Sequence, residues 1–589
     1  MREKWVVAAK RADFDRIGTH FGIDPVIARV MRNRGMTDIS EMEIYLHGTG
    51  ADLHDPHLMK DADRAARIIL EKIHSAKRIR IIGDYDIDGI QAAYILLKAL
   101  RRLGAEADTV LPDRIRDGYG LNDHLVTKAS ADGIDTILTC DNGISAGEQI
   151  RMAKGLGMTV IVTDHHEIPF EETDGLRREV LPEADAIVNP KQRDCTYPFT
   201  GLCGAAVAFK LVQILYEQAG IPVSEADVFL ENAGFATVGD VMDLQGENRI
   251  LVKLGLSRLR KTQNKGMRAL ILQKNLDPAQ LKSYHIGFVL GPCLNAGGRL
   301  ETARLSLELL LCEEAPRAAV LAQEIAELNE SRKLMTAQAV RQAEQIIEER
   351  GYGQEKVIVV FLPDCHESLA GIVAGRIRES HYRPVYVITR GEEACKGSGR
   401  SIDGYSMYEE MCKCRELFLK FGGHPMAAGF SVEEKNIDLL RRSLNEQASL
   451  TEQELIPKVT IDVPMPIDYL YEDLIRQLEL LEPFGKGNEK PVFADRNLEI
   501  ESLKTFGAEG RVIRMRLKNE RGTRMDAVYF GDIENLRLAL EEKYGRAAAE
   551  DTVNGTRSRH VSLDFLYYPE IDTYYAQPRI QMKIIGFSA

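Results

Sequence analysis

Asp84-Tyr85-Asp86-Ile87-Asp88-Gly89 follows an apolar run, Ile79 to Ile82, and sets three carboxylates at alternate positions where packing has no use for them. Two further apolar runs end the same way. Ile137-Leu138-Thr139-Cys140 leads into Asp141-Asn142-Gly143, and Val160-Ile161-Val162-Thr163 leads into Asp164-His165-His166. Short apolar runs bounded by turn residues read as buried strands of a parallel sheet. In such a sheet, ligands sit beyond the carboxyl ends of the strands, where the strand order reverses. Five or more acids and two histidines gathered there repel one another unless divalent cations neutralise them. Carboxylate oxygens mixed with imidazole suit Mn²⁺ or Mg²⁺ better than a thiolate-seeking ion. The pattern points to a metal-dependent hydrolase.

Outward from this cluster, the strand at 78–82 passes through the acidic turn into an apolar helix, Gln91 to Leu103. A short strand around Thr109-Val110-Leu111 follows, then a strand at 137–140, a helix near Ala146 to Lys154, a strand at 160–163 and another at Ala186-Ile187-Val188. Strands alternating with helices imply parallel pairing with right-handed crossovers. The fold class is therefore α/β, with a catalytic domain over 76–270. Upstream, 1–75 reads as a mostly helical segment, clearest from Asp61 to His74. Residues 271–350 read as connecting helices. After Pro316 no Gly or Pro occurs until Gly351, and Val320, Ile325, Leu328, Leu334, Val340 and Ile346 recur at helical spacing. Such a helix reaches ~50 Å at ~1.5 Å per residue, enough to join two domains. A second α/β domain spans 351–455, with strand Val357 to Leu362, helix Leu369 to Arg378 and strand Val385 to Thr389. Over 456–589 short strands dominate, among them Val512 to Leu517, Met525 to Phe530, Val561 to Tyr568 and Ile580 to Phe587. They predict a small barrel or sandwich.

Composition narrows the alternatives. At 589 residues the chain exceeds what one hydrophobic core supports. A net charge of −13 argues against a protein coated in basic surface, yet a basic groove on an acidic body can still take nucleic acid. The nine cysteines form no CxxC pair, so reduced thiols and a cytoplasmic location are expected. Trp5 to Ala9 is too short for a signal peptide, and nothing downstream resembles a membrane span.

The first motif also matches the opening of a calcium-binding EF-hand loop, but that loop needs a Glu at position twelve, where this chain has Ile95. Asp and Gly after a strand often serve only as caps and turns. Three acidic strand ends in order, one with adjacent imidazoles, make that bland reading insufficient.

With Thr237-Val238-Gly239-Asp240 added, these motifs resemble the four motifs of the DHH phosphoesterases, a family named for the Asp164-His165-His166 element. Other segments resemble its RecJ branch of exonucleases. They are Pro112-Asp113-Arg114, Gly118-Tyr119-Gly120-Leu121-Asn122, Leu294-Asn295-Ala296-Gly297-Gly298-Arg299-Leu300, Gly397-Ser398-Gly399-Arg400-Ser401, Phe421-Gly422-Gly423-His424 and Glu482-Pro483-Phe484-Gly485-Lys486-Gly487-Asn488. The resemblance covers nearly all of the chain and loosens after Leu536. It implies a DHH parallel-sheet domain, a long linking helix, a DHH-associated second domain and a C-terminal OB-fold barrel. The implied activity is metal-dependent 5′→3′ hydrolysis of single-stranded DNA to 5′-mononucleotides, in repair and recombination. It further implies two ions, Mn²⁺ or Mg²⁺, held by Asp86, Asp88, Asp141, His165 and Asp240, with Asp141 shared. Asp84 is either a ligand or an acceptor that orients one. His166 contacts the scissile phosphate or protonates the leaving 3′-oxygen, unless it is a core histidine bonded to backbone. Gln91 stands where the family usually has Ser or Thr, and is expected to cap the helix that follows.

The Gly397–Ser401 segment has its own rationale as a phosphate-binding loop: small residues expose backbone N–H groups, and Arg400 beside Ser398 can grip phosphate. Arg114 and Arg299 are candidates to assist, Gly422 and Gly423 would let backbone approach the nucleotide, and His424 would lie beside its phosphate or base. In the C-terminal region Arg514, Arg516 and Lys518 share a strand face. Tyr529, Phe530, Tyr567, Tyr568, Tyr574 and Tyr575 are candidate stacking platforms for a single strand. Single-stranded DNA is the expected partner, with a helicase and a single-stranded-DNA-binding protein as accessories, no membrane, and a monomeric chain. The rival readings are a smaller DHH enzyme acting on short oligoribonucleotides, cyclic dinucleotides or pyrophosphate, and a non-enzymatic scaffold. The first lacks counterparts to the N-terminal segment and the barrel, and the second would not keep the acids and histidines. An ATP-driven machine is disfavoured, because no GxxxxGK[ST] loop occurs.

Overall fold

The structure, a computed structural model, describes residues 3–589 apart from 115–116, 174–175, 301, 508–509, 556–559 and 573–577. Its contacts divide the chain into two units: Thr49–Pro457 with Gly485–Gly487, and Met1–Gly48 with Lys458–Phe484 and Asn488–Ala589.

In the first unit, a five-stranded sheet runs in the order Ala107–Val110, Ile79–Ile82, Thr136–Cys140, Thr159–Thr163, Ala186–Val188, parallel throughout. Ile79–Ile82 and Thr136–Cys140 are buried along their whole length, which is why apolar residues dominate both; the buried Arg80 is paired with Asp108 and Asp132 at 2.7 and 2.8 Å. Ile79, Ile81 and Leu138 meet the helices Ile87–Arg102 and Gly204–Gln218 on one face. Ile82, Ile137 and Val160 meet the helices Asp123–Ala131 and Gly147–Gly155 on the other. The chain leaves Ile79–Ile82 for the strand on one side and then crosses to Thr136–Cys140 on the other. The strand order reverses between these two, so the turns bearing Asp84 and Asp141 emerge side by side.

A 36-residue helix, Ala315–Arg350, spans ~54 Å at ~1.5 Å per residue. Ala318, Leu321, Ala322 and Ile325 join the core around Ile87, Leu290 and Leu294, while Ala339, Ala343 and Ile347 join the core under Ile358 and Val360. The helix is as expected, and of its spaced apolar residues Ile325 is buried and Val340 and Ile346 pack against the core, but Val320 and Leu334 are exposed. Alanine fills much of the stripe because a small side chain lets the helix axis approach its neighbours closely.

The second sheet of this unit runs Phe418–His424, Ala427–Val432, Cys395–Arg400, Val385–Arg390, Ile358–Phe361. The Gly-Ser-Gly-Arg segment is therefore a strand rather than a loop, and it is paired on both edges. Its N–H groups are committed to the ladder and cannot cradle phosphate. Its glycines answer to packing instead: a Cβ at Gly397 would lie 2.1 Å from the Phe430 ring.

In the second unit, Phe493–Phe506, Val512–Lys518, Arg524–Phe530, Arg579–Ser588 and Ser562–Asp572 pair in sequence, and the last pairs back onto the first, closing a five-stranded barrel. Phe493–Phe506 was not among the expected strands. Asp495-Arg496-Asn497 looks like a turn, but the strand absorbs it as an irregularity, with Asn497 at φ 52°. The N-terminal helices Phe14–Phe21, Pro25–Asn33 and Ile39–His47 put Ile17, Ile27, Met31 and Leu46 into the barrel's own core, and Lys4–Val7 pairs with Lys458–Ile461. Residues 1–48 thus group with the barrel, whereas the Ala62–His74 helix packs in the first unit. Tyr567 and Tyr568 are core residues of the barrel and not stacking platforms, and Tyr574 and Tyr575 lie outside the described residues. Among the described residues, no helix is long and apolar enough to cross a membrane.

Candidate metal centre

The acidic turn is built by its own backbone. Asp86 caps the Ile87–Arg102 helix, its Oδ1 accepting from the N–H groups of Asp88 and Gly89 at 3.0 and 3.1 Å. A Cβ at Gly89 would sit 2.5 Å from the Asp84 backbone, so only glycine closes the turn. Asp88 is fully buried, and its two oxygens accept from the N–H groups of Gly204 and Ala205 at 2.6 and 2.8 Å, at the start of the Gly204–Gln218 helix. The two N–H groups at that helix start satisfy both carboxylate oxygens and fix their direction. Asp141 stands at φ 62°, a strained setting for a non-glycine residue. Gly204 leaves it room, since a Cβ there would be 2.6 Å from that of Asp141.

His165 stands at the centre. Its Nε2 lies 3.0 Å from Asp141 Oδ1, 3.5 Å from Asp88 Oδ2 and 3.8 Å from Asp240 Oδ2. Asp141, His165 and His166 form one compact donor group, and Asp88, His165 and Asp240 form another. Asp84 Oδ2 and His165 Nδ1 are buried without a hydrogen-bond partner, and the contact of Asp141 Oδ1 with His165 lacks hydrogen-bond geometry. Burial first, then neighbouring carboxylates, hold Asp84, Asp86, Asp141 and Asp240 above the usual carboxylate range. Unpartnered oxygens and crowded buried acids fit divalent cations, which would relieve both conditions.

His166 is not a core histidine: its side chain is 40% exposed. Its Nδ1 lies 2.7 Å from Asp164 Oδ1, and the Tyr119 hydroxyl lies 3.0 Å from its Nε2 while donating to the Asp141 carbonyl at 2.9 Å. Burial opposes the charged ring, but the Asp164 contact outweighs it and pushes His166 up to about 9. Asp164 and Tyr119 thus hold His166 in place, from within motifs whose sequence assigns neither of them a role. Gln91 does not cap its helix. Asp86 does, and Gln91 instead accepts from Asn232 at 2.6 Å, deep in the core.

Next to this centre the basic residues converge. Arg299 donates to the Ser368 carbonyl at 3.0 Å, and burial, then Arg114 and Arg332, pull it down to about 10. Arg114 lies 5.0 Å over the Tyr85 ring. Ser398 and Arg400 point at the start of the Ala370–His381 helix, where a Cβ on Gly371 would touch both at 2.9 and 2.8 Å. Burial, then Arg378 and Arg114, lower Arg400. Like charges held this close to a helix N-terminus suit an anion. Across the sheet, Ser398, Gly429 and Gly422 share one row, and Arg400, Ala427 and His424 another. A Cβ on Gly422 or Gly429 would meet nothing within 4 Å, so the strip beside Ser398 is bare. Arg378 lies in a stretch, Arg376 to Arg400, whose basic excess is visible in the sequence, whereas Arg332 on the long helix gives no such signal and only the fold brings it here.

The comparisons with known proteins agree with this geometry. Three family models match: the DHH family N-terminal domain over residues 78–231, the DHHA1 domain over 354–450 and the RecJ OB domain over 461–586. The chain is 34% identical to the single-stranded-DNA-specific exonuclease RecJ of Salmonella typhimurium, over 80% of this chain and 84% of that protein. The chain belongs to the RecJ family. Its identity to the Bacillus subtilis RecJ is 36% over 90% of this chain, which spans 66% of that relative's length. The crystal structure of Thermus thermophilus RecJ in complex with Mn²⁺ superposes with a TM-score of 0.81 at 26% identity, covering all of this chain and 79% of that one. Against the RecJ-family motifs, Glu482–Asn488 behaves unexpectedly. Gly485–Gly487 belongs to the first unit, where the Leu244 N–H donates to the Lys486 carbonyl at 2.8 Å, just past Asp240.

Proposed function

We propose that this chain is a metal-dependent exonuclease that degrades single-stranded DNA from its 5′ end. The observation that carries the reading is the pairing of a buried carboxylate–histidine centre with an arginine-lined anion site on the neighbouring sheet. Asp86, Asp88, Asp141, His165 and Asp240 would hold two Mn²⁺ or Mg²⁺ ions, with Asp141 shared and Asp84 turned toward them. When bound, such ions supply an activated water and neutralise charge building on the phosphate. The protein's own groups do the rest. Arg400, Ser398 and the helix start at Gly371 hold the terminal 5′-phosphate, assisted by Arg114 and Arg299, so the next phosphodiester lies over the carboxylates. Gly422, Gly423 and His424 border the terminal nucleotide. His166, held by Asp164 and Tyr119, would serve as the proton donor to the departing 3′-oxygen. In the barrel, Arg514 over the exposed Phe506 and Lys583 over the exposed Phe530 offer faces for bases. We read the protein as a cytoplasmic monomer working in repair and recombination with a helicase and a single-stranded-DNA-binding protein, which would supply its strands.

The test uses single-stranded DNA labelled at its 5′ or 3′ end, duplex DNA and RNA, each with Mn²⁺ and with chelator. Labelled mononucleotide should appear first from the 5′-labelled single strand, and only with metal. Release from the 3′ end first, or cleavage undiminished by chelator, would overturn the reading.

A further inference from the structure

Tyr284 and Phe288 are 62% and 71% exposed, and their rings stack with centroids 5.1 Å apart and planes 25° from parallel. Two large aromatics displayed together to solvent stabilise nothing in the core. Phe288 lies in a π-helical stretch, Ile286–Leu290, that continues directly into the Gly291–Leu300 helix. Such stretches recur at functional sites.

This helical run lies along the metal centre. A Cβ on Gly298 would sit 2.4 Å from the Tyr85 carbonyl, one on Gly291 3.2 Å from Ile87, and one on Gly287 3.8 Å from Val238, two residues before Asp240. At 3.6 residues per turn, widened through the π-helical stretch, Tyr284, Phe288 and Arg299 return to one side of the run, and Arg299 is one of the arginines beside the proposed phosphate site. Phe288 and Arg299 are separated by ~16 Å at ~1.5 Å per residue. A stacked strand of ~3.4 Å per nucleotide covers that distance in roughly five nucleotides, and a stretched one in fewer.

We propose that Tyr284 and Phe288 form a stacking platform for unpaired bases of the substrate, downstream of the cut and roughly three to six nucleotides from the 5′ end. The proposal rests on the reading of the chain as a 5′-end exonuclease. The occupant is a nucleobase because the platform is a preformed flat aromatic stack on the same side of the same helix as the phosphate-binding arginine. A stacked aromatic pair accepts any base, which suits an enzyme that degrades without regard to sequence.

The experiment uses the full chain, with chelator present so that DNA is bound but not cut. 2-Aminopurine is placed singly along a 5′-phosphorylated 12-mer. Its fluorescence should fall on binding at roughly the third to sixth positions, and Tyr284→Ala with Phe288→Ala should abolish that local change. Affinity for the 12-mer should drop about 5- to 150-fold per base stacked, and Phe288→Trp should restore it. With Mn²⁺, the parent's preference for the 12-mer over a dinucleotide should shrink by the same factor. Unchanged affinity and an unchanged fluorescence profile in the double variant would overturn the platform. A response that tracks distance from the 3′ end would instead overturn the assumed polarity, a failure distinguishable because the platform signal would persist.

Discussion

Asp141 meets the cost of its setting three times over: it is buried, surrounded by Asp84, Asp86, Asp88 and Asp240, and held at φ 62°. Without metal each of these opposes folding. Asp141→Asn should therefore reduce cleavage to background and, in metal-free buffer, raise the melting temperature. Mn²⁺ at 100 times its Kd should stabilise the parent by about 2.7 kcal/mol and the variant by far less. A thermal melt with and without Mn²⁺ checks both, and a variant that keeps the parent's Mn²⁺ shift would remove Asp141 from the ligand set. Asp164 acts differently, through His166. Asp164→Asn should lower kcat by roughly 10²- to 10⁴-fold, the usual worth of a positioned acid, and leave the Mn²⁺ shift in place. Loss of that shift together with kcat would make Asp164 part of metal binding instead.

At the scale of elements, the strand Cys395–Arg400 offers its side chains rather than its backbone, so on the proposed function a 5′-phosphate would depend on Arg400 and Ser398. Arg400→Ala should weaken 5′-phosphorylated ends by about 10- to 150-fold, the worth of a charged hydrogen bond, with little effect on 5′-hydroxyl ends. Equal loss on both would count against a terminal-phosphate role. The helix Leu230–Gly239, which delivers Asp240, carries a second titrating group. Burial pushes Glu231 up to about 7, against an ordinary value of 4.5, while its Oε1 accepts from Thr262 at 2.7 Å. A carboxyl with a raised folded pKa binds its proton more tightly when folded. Its stabilisation is thus complete below about 4.5 and is lost as pH rises through about 7. The loss amounts to roughly 3 kcal/mol. Glu231→Gln should flatten this part of the stability–pH curve, which urea melts at several pH values would reveal. A curve identical to the parent's would place the titration elsewhere.

For the whole molecule, the grouping of residues 1–48 with 458–589 makes the two chain ends interdependent. Ending the chain at 457 would strip the barrel from Ile27, Met31, Met42 and Leu46, all of which it buries. That truncation should aggregate, whereas removing 1–48 as well should give a more soluble protein. Light scattering of the two truncations compares them directly, and equal solubility would mean that the N-terminal helices do not need the barrel.

The sequence by itself determined the parallel sheet, the long helix, the barrel's existence and the carboxylates and histidines of the centre. The reason is local: buried strands read as apolar runs, and so many acids crowded at neighbouring strand ends exceed what caps and turns need. The Gly-Ser-Gly-Arg segment shows the limit. Composition suggests a loop, and only pairing on both edges makes it a strand whose glycines make room for Phe430 and Met407. Val320 and Leu334 kept helical spacing yet face solvent, because packing distance favoured alanine at the contact. Tyr567 reads as a platform and lies in the core, since a strand does not declare which face the barrel encloses. Arg332 carries no motif, and the union of residues 1–48 with the last 130 or so joins segments far apart in sequence. Such long-range choices depend on surfaces that exist only after the chain has folded, so the tertiary structure decided them.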